Sequence, residues 1–177
     1  MIVVNLFGGP GCGKSTTAAW LFNQLKERGI NCEYVTEFAK DLTWETNLKA
    51  LSCQEYVFGN QSWRLARLQG KVDVVITDSP LPLAIIYDKG RLGEDFAKIA
   101  WKVYNEYDNI NFYLLSPEQY DSVGRNQTKE EANQIGETIL DMLIASGEVG
   151  SVVCHDVFLC PKEAKNAMLQ TILDQIN

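Results

Sequence analysis

The 177-residue sequence predicts an α/β domain, a mostly parallel β-sheet covered by helices on both faces. Three observations point there. Short apolar, β-branched runs alternate with segments of helical period from one end of the chain to the other. The central runs are nearly continuous in apolar residues, as strands buried on both faces require. The polar residues able to do chemistry stand just after those runs, and parallel sheets collect ligands at the carboxyl ends of their strands.

In order, Met1-Ile2-Val3-Val4-Asn5-Leu6-Phe7 is the first strand. The glycine-rich stretch from Gly8 to Ser15 follows, and then Ala18, Leu21, Phe22 and Leu25 recur at i, i+3, i+4 and i+7, an amphipathic helix capped by Gly29. Cys32 to Thr36 is the second strand, with Glu37 at its carboxyl end. A polar connection leads to a helix over about 49–69, with Leu51, Phe58, Leu65 and Leu68 on one side and Gln54, Gln61 and Arg64 on another. Val72 to Thr77 is the third strand, ending at Asp78, and an irregular segment runs on through Lys89-Gly90-Arg91. Phe96, Ile99, Ala100, Val103, Tyr104 and Tyr107 restore the helical period, and Asn111 to Leu115 is the fourth strand. The polar loop from Ser116 to Gln127 enters Thr128-Lys129-Glu130-Glu131, a capping box, and the helix behind it turns Ile135, Ile139, Met142 and Leu143 inward. Ser151 to Cys154 is a fifth strand, and a terminal helix from Lys162 buries Ala164, Ala167, Met168 and Ile172. With no repeat or linker, residues 1–177 read as one domain.

Composition narrows the classes. Hydrophobic residues at 46% and charged residues at 22% are ordinary for a soluble globular protein. A net charge of −7 argues against broad adhesion to nucleic acid, though not against a local basic channel. Five cysteines without C-x-x-C spacing suggest reduced thiols rather than a disulfide frame or a zinc site. No stretch has the length of a membrane helix, so the expectation is a cytoplasmic protein without a membrane partner.

Gly8-Gly9-Pro10-Gly11-Cys12-Gly13-Lys14-Ser15 fits G-x-x-x-x-G-K-S/T, the loop that cradles nucleoside triphosphates, here between strand and helix as the motif requires. Its glycines let successive N–H groups face phosphate oxygens, and the helix it opens favours anions at its amino end. ATP is therefore expected on residues 8–15 and the adjoining Thr16, with Lys14 at the β- and γ-phosphates and Ser15 on Mg²⁺. Asp78, ending an apolar strand, is the second candidate ligand for Mg²⁺. Glu37 is the candidate general base, with Asp41 a weaker competitor one helical turn on. Arg125, in the loop after the fourth strand, is a candidate arginine finger acting in cis. Gln61 and Arg64, with Arg67, have the donors to read a substrate, although a solvated polar face is the more common explanation for such residues. Arg91 is a candidate anion contact, and His155 a residue lining the nucleotide pocket.

Gly8 to Ser15, Thr77-Asp78-Ser79-Pro80-Leu81 and Gly124-Arg125-Asn126-Gln127-Thr128 together resemble small P-loop kinases of the AAA-like type common in phage genomes. These are similar to nicotinamide riboside kinases and to nucleoside and nucleoside-monophosphate kinases. The resemblance implies five parallel strands in the order 2-3-1-4-5, an arginine-bearing lid at about 116–128, adenine near the loop from His155 to Pro161, and the host cytoplasm as location if the gene is a phage's. Some phage members are similar to kinases that phosphorylate 5-hydroxymethyluracil within DNA. The chain departs from the nucleotide-kinase pattern in two places: Arg125 is the single arginine of its lid loop, and Asp78-Ser79-Pro80 replaces the carboxylate–arginine signature of deoxynucleoside kinases. The acceptor thus stays open between a nucleoside- or nucleotide-like hydroxyl, free or in modified DNA. A competing reading is a nucleotide-dependent switch with a protein partner. A GTPase would carry N/T-K-x-D, which is absent, and D-x-x-G after the third strand, whereas Asp121 to Gly124 follows the fourth. The expectation is an ATP- and Mg²⁺-dependent kinase.

Overall fold

A computed structural model describes residues 1–116, 128–147, 152–155 and 161–176. The strands are β1 (Ile2–Phe7), β2 (Cys32–Val35), β3 (Val74–Thr77), β4 (Asp108–Leu114) and β5 (Val152–His155). Four of them, in the order β2-β3-β1-β4, form a fully parallel sheet, and β5 continues it beside β4. The helices are α1 (Lys14–Glu27), α2 (Phe38–Trp44), α3 (Leu48–Leu51), α4 (Gln54–Ala66), α5 (Leu83–Asp88), α6 (Gly93–Tyr104), α7 (Lys129–Ala145) and α8 (Pro161–Ile176).

Strand alternation divides the core in two. Val4, Leu6, Val74, Ile76, Phe112 and Leu114 face one way, against Leu21 and Leu25 of α1 and Met168 and Ile172 of α8. Val3, Phe7, Val75 and Tyr113 face the other, against Leu65 of α4, Leu83 of α5, Tyr104 of α6, and Ile139 and Leu143 of α7. The second layer contains a polar exception. Asn5 donates its amide to the side-chain oxygens of Asn109 (2.8 Å) and Asn111 (3.1 Å), and the Tyr104 hydroxyl donates to Asn111 at 2.6 Å. Asn5 and Asn111 are both buried, and they face each other in the β1–β4 register. Burying amides is costly unless their bonds are made, and here they are made mutually.

Several boundaries differ from the sequence expectation. The helix expected over about 49–69 is two, α3 and α4, broken at Ser52-Cys53. The connection before it contains α2, and the irregular segment after Asp78 contains α5. Both are short helices whose few inward residues give little period: α2 buries only Leu42. β4 begins at Asp108, because the polar Asn109 there belongs to the amide network. Ile99 of α6 is 54% exposed rather than inward, and in α8 Leu169 takes the buried place expected of Ala167. The capping box of α7 forms as expected, with Thr128 accepting from the Glu131 amide and Glu131 from the Thr128 amide. Most of the expected lid, 117–127, with Arg125, lies outside the described residues, as does 156–160 of the loop expected near adenine.

Candidate active site

The loop between β1 and α1 is shaped by contacts that only glycine permits. Gly8 has φ 136°, and a Cβ there would lie 2.5 Å from the Leu114 carbonyl oxygen at the end of β4. A Cβ on Gly9 would lie 2.5 Å from the Ala132 carbonyl oxygen of α7 and 3.4 Å from the Gly136 backbone. The loop is thus pressed between the carboxyl end of the sheet and α7. It ends at Gly13, the N-cap of α1, where no side chain caps the helix, so the first-turn N–H groups of a 14-residue helix remain for an anion. The Lys14 ammonium folds back and donates to the carbonyls of Gly8 (2.8 Å) and Gly9 (2.9 Å), inside the turn where phosphate oxygens would sit.

A cavity of about 890 Å³ opens from this loop and is walled by α2, α3, α4 and α5. Lys14, Ser15, Thr16, Glu37 and Asp78 all line it, so these expected site residues share one space. Asp78 follows Val74 and Ile76 in strand alternation, which places it on the α1 side of the sheet, the side of Ser15. It is 6% exposed, one carboxylate oxygen accepts from the Tyr34 hydroxyl at 2.8 Å, and the other is buried without a hydrogen-bond partner. Desolvation raises its pKa above the usual carboxylate value, opposed by the Tyr34 hydrogen bond and the Lys14 charge. A buried carboxylate oxygen with no donor, sharing a cavity with a serine at an uncapped helix start, fits a divalent cation. Mg²⁺ there would take protein ligands from Ser15 and Asp78 and its remaining oxygens from phosphate and water, which is how this ion is usually held.

Glu37 is the N-cap residue of α2 and is half-buried. Burial pushes its carboxyl up; Lys14 pulls it down and the charge of Asp78 pushes it up again. Two side chains hold the backbone on either side of it. The Gln61 carbonyl accepts from the Phe38 amide at 2.9 Å, and the Gln61 amide donates to the Thr36 carbonyl at 3.4 Å. Arg64 donates to the same Thr36 carbonyl at 3.2 Å, pairs with Asp41, and lies over the Phe38 ring at 5.1 Å. Gln61 is 4% exposed, so the polar face of α4 is an internal brace and not a solvated surface. Gln61 borders the cavity with both ends of its amide engaged, and Arg64 does not line it. Arg91 lines the cavity at its far wall, in ion pairs with Glu55 and with Asp88 (3.7 Å). Asp41, the competing base, is engaged by Arg64. Arg125 lies outside the described residues, and nothing of the His155 side chain is described.

Sequence reasoning passed over Tyr34 and Tyr87. Tyr34 touches Asp78 directly, and Tyr87 lines the cavity with its phenol pushed up by burial and by the nearby charge of Glu37. Strand alternation carried the signal for Tyr34, but only the β2–β3 register, with Tyr34 opposite Ile76, makes it readable. Lys40, one turn after Glu37, also lines the cavity.

Residues 3–157 match the family model of the AAA domain. Among curated proteins no sequence matches this one. Among solved structures, a mutant of the APS kinase CysC of Mycobacterium tuberculosis is similar over 80% of this chain and 95% of that one, with 19% identity and a TM-score of 0.45.

Proposed function

The chain belongs to the AAA domain family, and from that premise we propose that it is an ATP- and Mg²⁺-dependent kinase that transfers the γ-phosphate to a hydroxyl of a nucleoside- or nucleotide-like acceptor. The observation that carries the reading is the cavity. A nucleotide on the loop would occupy only its Gly11–Thr16 end, and the space between α2, α4 and α5 remains for a second substrate. A switch that only binds and hydrolyses its nucleotide has no use for that second chamber. The walls suit an acceptor with an apolar body, through Leu51, Val57, Phe58, Leu81 and Tyr87.

In this reading Lys14 leaves the carbonyls of Gly8 and Gly9 for the β- and γ-phosphates. Ser15 and Asp78 hold Mg²⁺, which supplies charge neutralisation at the transferring phosphoryl group. Glu37 accepts the proton of the attacking hydroxyl, its backbone held by Gln61 and Arg64. Arg125 closes from the lid and neutralises charge in the transition state. The substrate roles first considered for Gln61 and Arg64 give way to support of Glu37, and Arg91 is kept as a contact at the far end of the acceptor.

The test is transfer of label from γ-³²P-ATP to a panel of nucleosides, nucleotides and 5-hydroxymethyluracil-containing DNA, with Lys14→Ala as control. A labelled product that depends on Lys14 is the expected result. Lys14-dependent hydrolysis to free phosphate, unchanged by every acceptor, would instead favour the nucleotide switch.

A further inference from the structure

We propose that Tyr34 is a positioning residue for the metal: its hydroxyl holds Asp78 by one carboxylate oxygen and leaves the other presented to Mg²⁺. The proposal rests on the magnesium role given above to Asp78. Tyr34 stands on β2 opposite Ile76, and Asp78 lies two residues beyond Ile76, on the same face of the sheet. The phenol donates 2.8 Å to one oxygen of Asp78. The other oxygen is buried and has no hydrogen-bond partner. Leaving a buried carboxylate oxygen without a donor is expensive, and a neighbour able to donate to both oxygens would remove the expense. Tyr34 cannot do so. A phenol has a single proton, and the ring is packed against the core layer that contains Ile76 and Leu21, which fixes where that proton goes.

The result is a carboxylate with one oxygen committed and one open. That arrangement favours monodentate binding, which suits the small octahedral Mg²⁺ better than ions that accept both oxygens. Groups that orient a ligand without touching the metal commonly govern affinity for it, and the partner here comes from a different strand than the ligand. Tyr34 is absent from the lining of the cavity, so it acts through Asp78 and not on substrate.

The experiment measures ATP affinity by calorimetry as free Mg²⁺ is raised from chelated to millimolar levels, in the wild type, Tyr34→Phe, Asp78→Asn and the double variant. Tyr34→Phe keeps the packed ring and removes only the proton donor. It should raise the half-saturating Mg²⁺ by about 10–100-fold, while ATP affinity under chelation stays at the wild-type value, which also certifies the fold. In the double variant the tyrosine change should add nothing to Asp78→Asn. A wild-type magnesium dependence in Tyr34→Phe, or an effect additive with Asp78→Asn, overturns the proposal. If Asp78→Asn itself leaves the magnesium dependence intact, the metal reading of the site fails and the proposal falls with it.

Discussion

At Glu37 a local shift becomes a measurable profile. Burial pushes its carboxyl above 4.5, so the folded chain keeps this proton to a higher pH than the unfolded chain does. A general base must be ionised. The acid limb of kcat/KM should therefore lie above pH 4.5 and disappear in Glu37→Gln, whose turnover should fall by about 10²–10⁴. Stability has the opposite sense. A carboxyl raised on folding contributes below its unfolded value, and that contribution is lost as pH rises through the folded one. At neutral pH, Glu37→Gln should thus melt no lower than wild type; a variant both inactive and markedly less stable would make the residue structural. Glu37 and Asp78 were legible in the sequence because each ends a strand. The work of Gln61 and Arg64 was not, because the atoms they hold belong to a segment more than twenty residues away, at separations of 25 and 28.

For the elements, the contact between the phosphate-binding loop and α7 decides what the loop tolerates. Gly9→Ala sets a Cβ 2.5 Å from a backbone oxygen, which cannot swing aside as a side chain can. It should cost about 1–3 kcal/mol, as overpacking does, and lower the melting temperature by about 2–12 °C in a domain of this size. Gly136→Ala meets the Tyr113 hydroxyl at 3.1 Å, a softer neighbour, and gains about 1 kcal/mol of helix propensity. Thermal melts should rank it well above Gly9→Ala, and the reverse order would remove α7 from the support of the loop. Long periodic elements such as α1 and α7 were readable from sequence. Short helices such as α2 and α5 were not, since six or seven residues complete fewer than two turns and supply too few inward positions to mark a period.

Over the whole molecule, the cavity joins residues from α1 to α5 into one ligand-dependent unit. ATP with Mg²⁺ at 100 times its dissociation constant should stabilise the fold by about 2.7 kcal/mol, which in this size range is a rise of roughly 5–11 °C. Lys14→Ala should lose most of that rise. An undiminished shift in the variant would place the nucleotide elsewhere. The layered α/β architecture was the most legible feature of all, because alternation of strand and helix patterns needs no tertiary information. Among the described residues no helix is long and apolar enough to cross a membrane.

The amides of Asn5, Asn109 and Asn111 bear on how the chain finds this arrangement. An aliphatic strand gains nearly as much in a neighbouring register as in its own, since one valine or isoleucine replaces another. Asn5 has no such alternative. Sliding β1 against β4 by one residue would turn it to the layer filled by Leu21 and Leu25, and sliding by two would separate it from Asn111. The first slip strands a buried amide and the second breaks the Asn5–Asn111 pair, so the three asparagines act as an alignment key for the central strand pair. Leu6, Phe7 and Gly8 follow Asn5 directly, and the position of the nucleotide loop over the end of β4 is inherited from that key.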